Sequence, residues 1–222
     1  MHVKEINMDV KKIHIKVKFY PVTPPKKRPY HHGDLRTALI EAALSLVEEH
    51  GVKGLALSDA ARQAGVSVAA PYRHFKDKEA LLAEIAAEGF VLFRDALARA
   101  AQTHPKDKVQ RLVEMGVAYV DFALEHRSHF KVMWESGIPK EKYPEVGKVA
   151  HEAHLLLEKA AMDLLPGAPA GRQQALVAAA WSIVHGYASL TLEGELRVAA
   201  TGGNDKKRLR QTLHLLLDQF AT

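Results

Sequence analysis

Cysteine is absent from all 222 residues, which excludes a disulfide framework, a thiolate metal site and a cysteine nucleophile together. Long apolar runs are missing too: no stretch approaches the roughly 18 consecutive apolar residues of a membrane span. The opening thirty residues carry Lys throughout and contain no apolar signal core, so the expectation is a soluble protein of the cytoplasm. Catalytic signatures are equally scarce. There is no Ser/His/Asp motif, no phosphate-cradling glycine loop and no HExxH run, which argues against an enzyme of helical fold. No segment repeats and none is of low complexity; the abundant Ala reads as helix propensity.

What is present is a length that supports one large domain or two smaller ones, and a net charge of +5 that is unevenly placed. Residues 1–78 hold 14 Lys and Arg against 8 Asp and Glu, leaving 17 against 18 in the remainder. A basic front and a near-neutral back suggest a phosphate-binding end and an end with another task, although a solvated basic arm gives the same asymmetry. Residues 1–29 form that arm: Ile13, Ile15, Val17 and Phe19 alternate with polar neighbours as in a strand, and Pro21, Pro24, Pro25 and Pro29 then break regular structure. Lys26, Lys27 and Arg28 are its best-placed phosphate contacts.

From Asp34 the periodicity becomes helical. Leu35, Leu39, Ala42, Ala43 and Leu46 share one face of a helix over 34–50 that stops at His50-Gly51. A short helix over 57–64 has the small face Ala60, Ala61 and Ala64, and Gly65 ends it. Ser67 then caps a third helix over 67–75 with Pro71 in its first turn. Asp77 caps a long helix running to about Ala101. Further helices are expected near 106–126, 127–136, 144–165, 170–194 and 205–220, separated by Gly- and Pro-bearing breaks. The predicted fold class is all-α: a three-helix helix-turn-helix domain at 30–76, a connecting helix at 77–104, and a helical bundle at 105–222.

The segment 57–75 meets the spacing of a helix-turn-helix, with a tight Gly turn, a small residue where the second helix crosses, and a second helix short enough for the major groove. Tyr72, Arg73 and His74 stand together on it, offering donors to phosphate oxygens, while Phe75 reads as core.

The run Ala64-Gly65-Val66-Ser67, followed by Tyr72, His74-Phe75, Lys78-Glu79 and Leu81-Leu82, resembles the tetracycline-repressor-like (TetR/AcrR) regulators over about residues 30–95. Trp181-Ser-Ile-Val-His185-Gly186 is similar to the signature of the branch whose C-terminal domain is named for Trp, His and Gly. The resemblance implies a dimeric repressor of palindromic duplex operator DNA, relieved by a small-molecule effector. It places Val68, Ala69 and Pro71 towards base edges, and Tyr72, His74 and Lys78 on phosphates. Ser58 and Ser67 complete the expected DNA contacts, with Ala56 standing where the family usually has a capping Ser or Thr.

In the C-terminal part Met115, Tyr119, Phe122, Phe130, Met133, Trp134 and Trp181 are spaced for inward helix faces, either as plain core or as the lining of a ligand cavity between helices. His126 with His129, and His151 with His154, share helix faces, but no carboxylate is placed decisively beside them, so neither metal nor cofactor is expected. The segment 175–192 is apolar nearly all round, with Ala178, Ser182, Gly186 and Ser189 on one side; with 205–220 it is the expected dimer interface. A structural DNA protein with a collapsed, ligand-free core is the rival reading.

Overall fold

The chain is seen in a computed structural model that describes residues 35–196 and 204–218, together with two short strands in the N-terminal unit. In that unit β1 (Asp9–Val10) pairs antiparallel with β2 (Ile13–His14). Ile15, Val17, Phe19, Lys26, Lys27 and Arg28 lie outside the described residues.

The unit from Leu35 onward is helical. α1 (Leu35–Gly54) buries Leu39, Ala42, Ala43, Leu46 and Val47 on one stripe. Its regular path breaks at Gly51, whose φ of 71° is open to glycine and strained for a residue with a Cβ. α2 (Leu57–Gln63) follows Ala56, which has no side-chain oxygen to cap it. It closes in a Schellman motif: Val66 N–H donates to Ala61 O at 3.0 Å and Gly65 N–H to Arg62 O at 3.1 Å, with Gly65 at φ 73°.

The third element differs from expectation. Instead of an α-helix over 67–75 the chain makes a 3-10 turn, Ala70–Arg73, and no side chain caps it, Ser67 included. Pro71 is the reason. It has no N–H to send back to the Ser67 carbonyl, which Ala70 N–H takes at 2.9 Å, and the Pro71 carbonyl then accepts from both His74 and Phe75.

Asp77 caps α3 (Lys78–Ala100) by accepting from Ala80 N–H at 2.8 Å, and Asp107 caps α4 (Lys108–Glu125) through Gln110 N–H at 2.9 Å. A break at His126 separates α4 from α5 (Arg127–Glu135). α6 (Pro144–Leu164) begins on Pro144, and α7 (Ala170–Leu192) follows Pro169. α8 (Asn204–Leu217) lies back on α4. α3 is the hub, packing against α1, α4, α5 and α6. Two glycines set the closest helix approaches. A Cβ on Gly89 would stand 2.7 Å from Met133 Sδ, so α3 and α5 touch there; a Cβ on Gly116 would stand 2.7 Å from Leu213 Cδ1 and 3.1 Å from Val184 Cγ1, where α4 meets α7 and α8.

Candidate nucleic-acid interface and ligand cavity

Phe75 is buried beneath the 3-10 turn, with the Arg36 guanidinium 5.7 Å from its ring centroid. With that anchor inside, the preceding segment presents its other side chains outward. Ser67, Ala69, Arg73 and His74 are exposed, Val68 is 52% exposed and Tyr72 61% exposed. Ser58 is half-buried in the first turn of α2. Lys78 is half-buried at the start of α3 and donates to the Lys53 carbonyl at 3.2 Å, which fixes its ammonium beside the end of α1. Pro71 departs from its expected place towards base edges: its ring is fully buried, turned inward where the 3-10 turn packs on α2.

A cavity of about 400 Å³ opens between α3, α4, α6, α7 and α8, within the size range of small-molecule sites. Of the aromatic and methionine residues named above, Met115, Tyr119, Trp134 and Trp181 are on its wall. Phe122, Phe130 and Met133 are not. Phe122 packs against Phe93 and His126, Phe130 lies among Tyr119, Trp134 and His185, and Met133 fills the α3–α5 contact at Gly89. The wall also takes Gly147, Ala150, His151 and His154 from α6 and Leu213, Leu216 and Leu217 from α8, residues that aromatic content alone does not single out. The pairing of His151 with His154 one turn apart is the available signal.

The Tyr119 hydroxyl sits 2.8 Å from Nδ1 of His185. Burial pushes the Tyr119 phenol up and holds His185 below its ordinary value, so both are neutral and Nδ1 can accept. Burial likewise depresses His129, against the Glu88 carboxylate 3.9 Å away, which acts to raise it. Both imidazoles therefore bind protons more readily in the unfolded chain. Stability is full above the ordinary value of 6.5 and falls as pH drops below it until the folded-state groups protonate. Urea unfolding at about pH 7.5 and about pH 5.5 should show the lower midpoint in acid, and His185→Gln should reduce the difference. Equal midpoints would remove both histidines from the account.

Comparison with known proteins agrees with this arrangement. Residues 39–85 match the model described as bacterial regulatory proteins, tetR family, and residues 112–215 match that described as tetracyclin repressor-like, C-terminal domain. Together the two matches take in more than half of the chain. The chain belongs to the TetR family of bacterial regulatory proteins, which are DNA-binding transcriptional regulators and not enzymes. It is 36% identical over 92 residues to the HTH-type transcriptional regulator BetI of Agrobacterium fabrum, covering 40% of this chain and 45% of that protein. The chain spans about half the length of the curated relatives it matches. Among solved structures, a protein of unknown function from Rhodococcus sp. RHA1 is 31% identical with a TM-score of 0.67, covering 87% of this chain and 97% of its own. The TetR family regulator PfmR from Thermus thermophilus shares the fold at 20% identity and a TM-score of 0.60, over 81% of this chain and 93% of its own.

Proposed function

We propose that the chain acts in the cytoplasm as a homodimeric repressor of a palindromic operator, relieved by a small molecule in the cavity between its helices. The observation that carries the reading is the exposure of Ser67, Val68, Ala69, Tyr72, Arg73 and His74 around a buried Phe75, reached through a glycine-closed turn. Tyr72, His74, Ser58, Ser67 and Lys78, with Lys27 and Arg28 of the arm, donate to phosphate oxygens, while Val68 and Ala69 meet thymine methyls. With so few base-edge donors, specificity rests substantially on DNA shape. The functional division follows: 1–29 the arm, 30–76 the DNA-binding part, 77–104 the connector, and 105–222 the part that senses and dimerises.

Two features support coupling of cavity to DNA surface. α3 starts a few residues after Phe75, and its later turns supply Phe90, Phe93 and Leu97 to the cavity wall. α5 carries Trp134 on that wall and also packs against α1. A ligand that prefers one placement of these helices shifts operator affinity by the difference of its affinities for the two conformers, and operator shifts ligand affinity by the same factor.

Tyr72→Ala should lower operator affinity by about 1–3 kcal/mol, the scale of a lost hydrogen bond to a charged group, without altering stability. Log affinity of the wild type should fall steeply with log salt. Unchanged binding in the folded variant excludes Tyr72 from the interface, and a flat salt plot excludes phosphate-driven binding. Trp134→Ala should keep the operator affinity of the ligand-free protein and change the size of the effector's influence; an influence of unchanged size moves the sensing site elsewhere.

A further inference from the structure

The polar groups on the cavity wall without a described partner are Lys140, His151 and the Trp134 indole N–H, and none of them is an anion. Of the wall residues, three are exposed and so border the mouth: Lys140, His151 and Trp181. Further in, the wall is Phe90, Phe93, Leu97, Leu112, Met115 and their neighbours, buried and apolar. Among the described residues, no Asp or Glu lines the cavity. Three other cations are already paired: Lys142 with Glu79, Arg94 with Glu152 at 2.6 Å, and Arg111 with Asp163 at 2.9 Å. Lys140 has no ion-pair partner among the described residues. Its Cβ lies against α6, where a Cβ on Gly147 would meet it at 3.4 Å. Glu158 is off the wall and pairs with the wall residue His154 at 3.3 Å.

Inside, Tyr119 is occupied by His185, but Nε1 of Trp134 is buried without an acceptor among the described residues. A cationic ligand would find no carboxylate here, and a hydrocarbon would leave Lys140 unmatched.

We infer that the cavity selects an amphipathic monocarboxylate, with its apolar body between α3, α4 and α8 and its carboxylate at the mouth on Lys140 and His151. The inference rests on the cavity being the sensing site, and direct binding tests it without DNA. Trp134 and Trp181 are the two tryptophans of the chain and both are on the wall, so intrinsic fluorescence reports occupancy. Dodecanoate, dodecanol and dodecyltrimethylammonium should be titrated into the full chain below their aggregation concentrations. Dodecanoate should bind about tenfold tighter than either of the others, the scale of one charged hydrogen bond. Lys140→Glu should abolish that preference and His151→Glu should weaken it. Lys106→Glu, an exposed residue off the wall, should leave it intact. Equal binding of all three probes, unaffected by Lys140→Glu, overturns the carboxylate inference and leaves a sensor for neutral apolar molecules. Tighter binding of the ammonium probe overturns it as well. A fluorescence response to none of the three overturns both the inference and the sensing role of the cavity.

Discussion

Gly186→Glu should sediment as a monomer at micromolar concentrations where the wild type is a dimer, and should lose operator binding with it. α7 is the most apolar of the described helices, yet it leaves Ala175, Ala178, Ser182 and Leu190 exposed, and Leu215 of α8 is 86% exposed. Gly171, Ala175, Ala178, Ser182, Gly186 and Ser189 recur at helical spacing along the open side of α7, a surface on which a second α7 can approach closely. A Cβ on Gly186 meets nothing within 4 Å in the single chain, so glutamate there is harmless to the fold of one copy. Across a two-fold interface the same change enters twice, and each buried, unpaired carboxylate costs several kcal/mol. Circular dichroism should show unchanged helix content. A variant as dimeric as the wild type would place the interface on another face.

Phe75→Ala should destabilise the helices around the 3-10 turn by about 3–5 kcal/mol, the range for truncating a buried aromatic. Phe75 is 2% exposed and is the largest fully buried side chain among the described residues. Its ring supports the turn from below and carries the Arg36 guanidinium, which itself hydrogen-bonds Glu84 on α3 at 3.0 Å. Removing the ring unseats α1, the turn and the start of α3 together, and DNA binding goes with them. Urea unfolding followed by circular dichroism separates this from Tyr72→Ala: Phe75→Ala shifts the midpoint, Tyr72→Ala does not. Coincident curves for the two variants would mean that Phe75 does not hold the turn.

The capping and breaking residues make most of the fold readable in advance. Asp77, Gly51, Gly65 and Pro169 act locally, through hydrogen bonds and φ preferences that neighbouring residues decide, and each element boundary they suggest is found within a few residues. Pro71 misleads, because a proline tolerated in a helical first turn also removes the bond that continues an α-helix, and because the direction of its ring depends on α2 packing against it. The cavity is only half legible. Tyr119 and Trp134 stand out by size, but whether Met133 faces a void depends on how closely α3 and α5 pass, which Gly89 decides, and Phe130 is taken up by Tyr119, Trp134 and His185. Gly147, Ala150 and Lys140 carry no hydropathy signal for a wall, since their role comes from what is missing around them.

The shortness of Ala70–Arg73 also bears on the code such a protein can read. At about 2.0 Å of rise per residue the turn is about 8 Å long. Stacked bases are about 3.4 Å apart on each strand, so an element of that length lies beside about two base pairs. Each wrong pair is penalised by about 1–3 kcal/mol, and two pairs therefore carry little information against a genome of competing sites. Val68 and Ala69, the two residues proposed at base edges, adjoin the turn, so on the proposed reading the base contacts of one copy carry too little information to specify an address. In the proposed homodimer the address is written twice, and the distance between the two writings, set by how far the partner copy holds its own turn, becomes as much a part of the message as the bases.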